Sequence, residues 1–400
     1  MSALTVGMVH FSDYALDSRI QREAQALAER GDHVHCVCIG EAGTQAVGAG
    51  RIATHPIACE KPRSGPASYL RAYARFFAGA ARALTTLDRR LGFDLVQIHN
   101  MPNFLTAATL APRRRGVPVI LDMHDTFPEL FSTTFGVGYR HPLSRAIYQE
   151  ERLSARLADH LITVTDAAKR LLNDRGVGRD RTTVVMNSPD ERIFGPQRAP
   201  VRIPDEGPIR IVYHGGTSER FGVESLIDAT KRLIDEEVDV SLNVYGAFDE
   251  NSDLLSRARA VPGERVRLAA KPTPFEEIPE KLARAHIGVV PTLRNDFTQL
   301  LLPVKLLEYI HMGIPAVCSR LPVVEDHFTD DELWFYEPGS PGALKAAIRE
   351  AISDPAEAMR RADRAGKRIA DYCWLSQRDR YLALADQLTS RAAAASGPSP

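Results

Sequence analysis

Short apolar runs alternate with amphipathic stretches along the whole chain, a pattern typical of parallel α/β folding. In the N-terminal half, the segment Arg19–Arg30 predicts a helix because its apolar residues share one face and Gly31 follows as a stop. The predicted strands are Leu4–His10, His33–Ile39, Leu95–His99, Val117–Met123, Leu161–Thr165 and Thr183–Met186. Together these elements predict a doubly wound domain over residues 1–197.

A proline-rich connector follows, with Pro196, Pro200, Pro204 and Pro208 spaced so that neither helix nor sheet is favoured. The alternation then begins again and predicts a second α/β domain over residues 205–374, with a helix over 375–390 packing back on the first. The strands predicted there are Ile209–His214, Val240–Tyr245, Val266–Ala269, Ile287–Pro291, Ala316–Ser319 and Leu333–Tyr336. We therefore expect two Rossmann-like domains facing each other across a cleft, with ligands at the carboxyl ends of the strands.

Composition agrees with a two-domain globular protein: 400 residues exceed one ordinary core, and hydrophobic (44%) and charged (25%) contents are average. A net charge of -1 provides no overall field to attract nucleic acid. The five cysteines are odd in number and lack metal-ligand spacing, which predicts a reducing compartment and no metal site. Because neither a signal peptide nor an apolar run of about 20 residues is visible, we expect a cytoplasmic protein, at most peripheral at the inner face of a membrane.

The segment Pro303–Pro315 (PVKLLEYIHMGIP) carries the most chemistry. Lys305 and Glu308 are three residues apart, so on a helix they share a face near its start, where free amides attract anions. A carboxylate in that setting suits the vicinal hydroxyls of a ribose. The alternative is a surface ion pair between the two residues.

Two further segments follow predicted strands. In Tyr213–Gly222 (YHGGTSERFG), Gly215 and Gly216 let backbone amides approach a ligand, and Arg220 suits phosphate oxygens; the alternative is an ordinary tight turn. In Asp122–Glu129 (DMHDTFPE), a histidine and carboxylates stand at a strand end, although Asp125 is equally a candidate helix N-cap. The glycine motifs of dinucleotide and P-loop sites are absent from the sequence.

These segments, taken in order, resemble the family 4 glycosyltransferases of the GT-B fold. The resemblance spans about Leu4 to Trp374 and includes DSRIQREAQAL, HNMPNFLTAATL, VPVILDMHDTFPEL, LITVTDAAKRLL, VVMNSPDERIF, IRIVYHGGTSERFGVESLIDA and LLPVKLLEYIHMGIPAVCS. It implies a retaining, metal-independent transfer from a nucleoside-diphosphate sugar to a glycan, lipid-linked or small-molecule acceptor in cell-surface polysaccharide or glycoconjugate synthesis. No cofactor is expected besides the donor itself.

Matching the motifs places Glu308 on the donor ribose, Arg220 on the diphosphate and His124 near the sugar's hydroxymethyl group. The candidate catalytic residues are His124, Asp125 and Glu308. The candidate donor-binding residues are Gly215, Gly216, Thr217, Arg220, Gly246, Thr298, Lys305, Leu307 and Glu308. The candidate acceptor-side residues are Ser12, Asp13, Arg19, Asn100 and Asn103.

The sequence departs from the family pattern at two donor positions. Leu300 stands where the family has the first glutamate of its Glu–seven residues–Glu signature, and Thr217 stands near its first diphosphate-binding arginine. Two other functions therefore stay open: an epimerase-type enzyme acting on the sugar nucleotide itself, and a catalytically silent binding module.

A basic stretch over Lys61–Arg90 raises a separate question. It holds seven basic residues against Asp88 alone, and Leu70, Tyr73, Phe77, Ala81, Leu84 and Leu87 recur at helical spacing. Such a helix can lie at the interface of an anionic membrane and hold the enzyme near a lipid-linked acceptor. The alternative is an ordinary domain helix whose apolar face packs on the sheet.

Overall fold

Parallel strands and connecting helices build two sheets in the computed structural model. It describes residues 3–41, 45–47, 50–59, 66–178, 180–195, 203–204, 207–246, 253–269 and 273–396. Most of the proline-rich connector, residues 196–202 and 205–206, lies outside these ranges. The chain divides into two units, residues 1–187 with 377–400 and residues 188–376. None of the helices in the described residues combines the length and apolar content that crossing a membrane requires.

The first unit contains an eight-stranded sheet of order β3-β4-β2-β1-β5-β6-β7-β8, parallel except for β3. Its strands are β1 (Thr5–Val9), β2 (His33–Ile39), β3 (Gln45–Val47), β4 (Ile52–Ile57), β5 (Leu95–His99), β6 (Val119–Met123), β7 (His160–Thr163) and β8 (Thr182–Val184). Its helices are α1 (Ser18–Arg30), α2 (Pro66–Leu91), α3 (Leu110–Arg114), α4 (Phe127–Phe135), α5 (Pro142–Leu157) and α6 (Asp166–Asp174), with a 3₁₀ segment at Asn103–Thr109.

The second unit contains a six-stranded parallel sheet of order β11-β10-β9-β12-β13-β14. Its strands are β9 (Ile209–His214), β10 (Val240–Tyr245), β11 (Val266–Leu268), β12 (Ile287–Val290), β13 (Ala316–Ser319) and β14 (Trp334–Tyr336). Its helices are α7 (Glu191–Phe194), α8 (Val223–Asp235), α9 (Asp253–Arg259), α10 (Ile278–Leu282), α11 (Val304–His311), α12 (Pro322–Glu325), α13 (Pro341–Ser353) and α14 (Pro355–Arg368), and α15 (Trp374–Ser396) ends the chain. The two sheets confirm the prediction of two Rossmann-like α/β domains.

Helices cover both faces of the first sheet. On one face α1 contributes Ile20 and Leu27, and α15 contributes Tyr381 and Leu384, to a core with the β1 and β2 side chains. On the other face α2 contributes Phe76 and Leu84, both fully buried. From Tyr73 to Leu87 the apolar face of α2 packs on the sheet, as expected of an ordinary domain helix, whereas Leu70 near its start is exposed.

The division between the units falls earlier than the predicted boundary at residue 197. The carboxylate of Glu191 accepts hydrogen bonds from the backbone N–H groups of Trp374 and Leu375, both at 3.0 Å, which ties α7 to the second unit. From Gln377 onward α15 belongs to the first unit, where the Gln377 side chain accepts from the Met186 N–H at 2.9 Å. The C-terminal helix continues to Ser396, six residues past its predicted end at 390.

Candidate functional site

Glycine is required where β9 and β10 end in the second unit. Gly215 has a φ of +107°, and its N–H donates to Tyr245 O at 2.9 Å. A Cβ on Gly246 would lie 2.4 Å from Gly215 O and 2.9 Å from Thr217 Cγ2. A Cβ on Gly216 would lie 2.6 Å from the Phe221 ring. The ends of the two strands therefore meet backbone against backbone, and the structure brings four predicted donor residues together there.

The ammonium group of Lys305 lies beside this turn. Its Nζ donates to Tyr213 Oη at 2.7 Å and lies 4.0 Å from the centre of that ring and 4.9 Å from the centre of Phe221. A Cβ on Gly215 would be 3.1 Å from the same nitrogen. Burial lowers the pKa of Lys305 to about 7, against the opposing effect of the Glu308 charge. A bound anion beside Nζ would restore the charge that burial disfavours.

Arg220 lies next to the same aromatic ring. Its guanidinium carbon is 4.9 Å from the centre of Phe221 and 5.8 Å from the centre of Phe297. Its Nε is buried and makes no hydrogen bond within the described residues. A buried donor without an acceptor is costly, and a phosphate oxygen is a suitable acceptor for guanidinium. Lys305 and Arg220 therefore both lie beside the Phe221 ring, and Nε of Arg220 is a donor without an acceptor in the described residues.

Glu308 is buried one turn further along α11; the helix begins at Val304, so both residues lie near a helix start as the sequence predicts. Its Oε2 lies 3.0 Å from His214 Nε2, and the N–H of His214 donates to Tyr309 Oη at 3.2 Å. The alternative of a surface ion pair between Glu308 and Lys305 is wrong, because Glu308 is buried against the end of β9 and Lys305 bonds Tyr213.

Two other predicted donor residues contribute differently. The Thr298 hydroxyl donates to Leu293 O at 2.6 Å and accepts from Asn295 N–H at 3.0 Å, so it shapes the loop that carries Phe297. The Leu307 side chain is fully buried in the core, which leaves only its backbone for a ligand contact.

In the first unit, Asn100 holds the loop after β6. Its Oδ1 accepts from the His124 N–H at 3.1 Å, and its Nδ2 donates to Asp125 O at 2.6 Å. His124 Nε2 lies 2.5 Å from Asn100 O, and because a carbonyl only accepts, that nitrogen carries the proton. The N-cap of α4 is Thr126, so the interpretation of Asp125 as the N-cap is wrong.

The remaining acceptor-side candidates have structural partners, which corrects the expectation for Arg19 in particular. Its guanidinium is buried and donates to both carboxylate oxygens of Asp122 at 3.0 Å, so it is not available to an acceptor. Asn103 is fully buried and donates to Glu150 at 3.0 Å. Asp13 accepts from the Ala15 N–H at 3.0 Å, and Ser12 Oγ lies 3.0 Å from His10 Nδ1.

The sequence interpretation missed His10 and His99, which lie with His124 at the carboxyl ends of β1, β5 and β6. The His10 and His99 ring centres are 6.4 Å apart, and those of His99 and His124 are 6.0 Å apart. Burial and the nearby His99 lower the pKa of His10 to about 3. Burial opposes charge on His99, but its hydrogen bond to Asp122 and the carboxylate of Glu23 raise its pKa. The rule that singled out His124, its place at a strand end, would also have singled out these two.

The carboxylates of Glu23 and Asp122 and the ring of His99 bring ligand atoms within 4.8 Å of one another. Arg19 lies between the two carboxylates, at 3.2 Å from Glu23 and 3.0 Å from Asp122. The guanidinium of Arg19 therefore supplies the positive charge that the two buried carboxylates require.

Two models of known protein families match most of the chain. Residues 16–188 match the family model "Glycosyl transferase 4-like domain", and residues 208–354 match "Glycosyl transferases group 1". The glycogen synthase of Mycobacterium tuberculosis is 27% identical over 305 residues, which cover 76% of this chain and 70% of that protein. The chitobiosyldiphosphodolichol beta-mannosyltransferase of Candida glabrata is 22% identical over 260 residues, covering 58% of this chain and 57% of that protein.

Among solved structures, a sucrose-phosphate synthase from Thermosynechococcus elongatus matches with a TM-score of 0.77 and 17% identity, over 97% of this chain and 100% of that chain. A likeness at this identity establishes the fold, and the two family models establish the enzyme class. The chain belongs to the family 4 glycosyltransferases of the GT-B fold and is an enzyme that transfers a sugar from a nucleotide sugar.

Proposed function

We propose that the enzyme transfers its sugar with retention of configuration to a glycan or lipid-linked acceptor. The observation that carries the donor half of this proposal is the pair of cations on Phe221. Lys305 Nζ and the Arg220 guanidinium carbon each lie 4.9 Å from that ring centre, next to the open backbone of Gly215 and Gly216. This arrangement fits a diphosphate, whose oxygens accept from both side chains and from backbone amides.

Lys305 and Arg220 are also proposed to stabilise the diphosphate as it leaves. As the bond between the anomeric carbon and the phosphate oxygen breaks, negative charge develops on the diphosphate, and preorganised positive groups stabilise it. Glu308, buried beside His214, is proposed to accept hydrogen bonds from the ribose hydroxyls. His124 and Asp125, held by Asn100, are proposed to face the donor sugar.

Retention is proposed to occur by attack on the face that the diphosphate leaves. A double displacement would need a carboxylate nucleophile; Asp122 and Glu23 are both bound by Arg19, and the family resemblance favours same-face attack over a nucleophilic role for Asp125. In the proposed route, the acceptor oxygen forms its bond to the anomeric carbon while the glycosidic phosphate bond breaks, and the acceptor proton passes to the departing phosphate oxygen.

The relatives support both acceptor classes. One is named a glycogen synthase and the other is named for a dolichol-linked chitobiose acceptor. We propose that this chain works in cell-surface polysaccharide or glycoconjugate synthesis, on the cytoplasmic side of a membrane that carries the acceptor.

The experiment has two steps. A thermal-shift panel of UDP-, GDP-, dTDP- and ADP-sugars identifies the donor, and the donor is then incubated with glycan and lipid-extract acceptors. We expect acceptor-dependent release of nucleotide, with the donor's anomeric configuration kept in the product as read by NMR. Inversion would contradict the mechanism. Rapid turnover of donor without acceptor would favour an epimerase, and tight nucleotide binding without transfer to any acceptor would favour a silent binding module.

A further inference from the structure

Exposed apolar and basic side chains gather where α4 turns into α5. Phe135 is 62% exposed, Tyr139 43% and Leu143 57%, although each is a large apolar or aromatic residue. Arg140 and Arg145 are exposed beside them and form no ion pair within the described residues. From Leu130 to Gln149 the sequence contains no aspartate or glutamate. We call residues 135–145 the α4–α5 tip.

The start of α2 has the same character. Leu70 is 71% exposed and Arg71 follows it, whereas the next large apolar residues of α2, from Tyr73 to Leu87, pack on the core. The sequence holds no acidic residue from Pro66 to Leu87. Of the long stripe that the sequence singled out, Leu70 near the start of α2 is the member left to contact a partner.

Connectivity puts these two segments on the same edge of the first sheet. Both α2 and α5 lead into parallel strands, β5 and β7, so each helix ends at the amino edge and begins at the carboxyl edge. Contacts agree: the Tyr73 ring of α2 lies 5.9 Å from that of Phe104, and the adjacent Asn103 donates to Glu150 of α5 at 3.0 Å. His124, His99 and His10 stand at that same carboxyl edge.

We propose that the α4–α5 tip, with Leu70 and Arg71 near the start of α2, docks on an anionic lipid surface. Phe135, Tyr139 and Leu143 would enter the boundary between headgroups and acyl chains, while Arg140, Arg145 and Arg71 contact the headgroup phosphates. An apolar set flanked by arginines that form no ion pair within the described residues, in stretches of sequence without Asp or Glu, complements such a surface in both charge and polarity. The inference extends the proposed function, since it places a membrane-held acceptor at the sheet edge that carries His124.

The test is co-sedimentation of the full chain with two vesicle types, pure phosphatidylcholine and equal parts phosphatidylcholine and phosphatidylglycerol, at low and high salt. We expect binding to the anionic vesicles that salt weakens. Each basic residue near an anionic surface contributes about 1 kcal/mol, so Arg140→Glu with Arg145→Glu is expected to weaken binding by roughly 30-fold or more. Phe135→Ser with Leu143→Ser is expected to weaken binding at both salt concentrations.

The same helix provides matched controls at its other end. Arg152→Glu with Arg156→Glu makes the same change of charge near the amino edge, and Leu153→Ser removes an equally exposed leucine. These variants are expected to bind like the parent protein. Equal losses in tip and control variants, or no binding to anionic vesicles at low salt, would overturn the proposal. So would tip variants that change only the oligomeric state, because the tip would then be a contact between copies of the chain.

Nucleotide-sugar affinity, measured without vesicles, keeps this result separate from the proposed function. It should be the same in the tip variants and the parent protein. A parent protein that binds no nucleotide sugar would contradict the proposed function, and the vesicle result could still be interpreted.

Discussion

Lys305 donates a hydrogen bond to the Tyr213 hydroxyl at 2.7 Å while the same nitrogen lies over the Tyr213 ring, 4.0 Å from its centre. Lys305 is half-buried there, and burial lowers the pKa of its ammonium group to about 7. The free enzyme therefore holds a cation at the proposed diphosphate site that loses its proton near neutral pH.

Donor binding should accordingly weaken as the pH rises above 7. A diphosphate beside Nζ raises the pKa of Lys305, so the complex takes up a proton, and affinity falls by up to roughly tenfold per pH unit until the pKa of the complex is reached. The measurement is calorimetric titration with a nucleotide sugar, whose diphosphate does not itself titrate there, in buffers of different ionisation enthalpy. Lys305→Met should bind more weakly and without this pH dependence. A parent protein that takes up no proton would contradict the assignment.

Removing either of two other polar groups should impair transfer without unfolding the protein. Glu308→Gln keeps the shape of the side chain but loses its charge, and Arg220→Ala removes a buried donor that has no acceptor in the described residues. A hydrogen bond to a charged group contributes about 1.5–3 kcal/mol, so each change should lower kcat/KM by roughly 10- to 100-fold. Glu280 on α10 and Arg284 just after it form an exposed ion pair, so Glu280→Gln and Arg284→Ala serve as controls. Unchanged kcat/KM in both site variants would contradict the site assignment.

The close meeting of β9 and β10 predicts a steric effect. Gly246→Ala would place a Cβ 2.4 Å from Gly215 O, so the glycine turn must move and donor affinity should fall. Gly366→Ala in α14 meets nothing within 4 Å and should stabilise the protein by about 0.5–1 kcal/mol. Calorimetric Kd and Tm of both variants distinguish the outcomes. Equal donor affinity in the two would show that the turn does not line the site.

The alternating apolar pattern predicted the strands that form the centre of both sheets, because a buried parallel strand must be apolar on both faces. It missed β4, whose sequence IATHPI mixes polar residues with Pro56 near the edge of the sheet. The prediction that Lys305 and Glu308 lie near the start of one helix was also correct, since both belong to the first turns of α11.

Partners far apart in sequence were not predictable in the same way. Arg19 follows a strand and carries a charge, which favoured a ligand contact, yet its partner is Asp122, 103 residues later. Glu308 was placed near Lys305 by helical spacing, but its buried contact is His214. Spacing determines which residues share a face of one element, whereas the register of whole sheets determines which elements meet.

Activity should survive chelators. The diphosphate is proposed to be met by Lys305 and Arg220, and the carboxylates of Glu23 and Asp122 already hold a guanidinium, so fixed positive charge takes the part that a divalent ion plays elsewhere. Dialysed enzyme should show the same initial rate of transfer with and without EDTA. Loss of activity that Mg²⁺ or Mn²⁺ restores would contradict this prediction.

Breaking the buried ion pair between Arg19 and Asp122 should lower the stability of the fold more than it lowers the rate of transfer. Burial favours the neutral form of Asp122, but the Arg19 guanidinium and the hydrogen bond from His99 hold its pKa well below the usual range. A carboxyl with a lowered pKa stabilises the fold above its unfolded pKa, and this stabilisation is lost as the pH falls below that value. Asp122→Asn leaves the Arg19 charge buried with Glu23 as its remaining carboxylate, and should lower the free energy of unfolding by about 3–5 kcal/mol at neutral pH. Denaturant unfolding measures this loss, and the difference between variant and parent should shrink in acid. A difference that stays the same in acid would mean that Asp122 acts through packing and not through its charge.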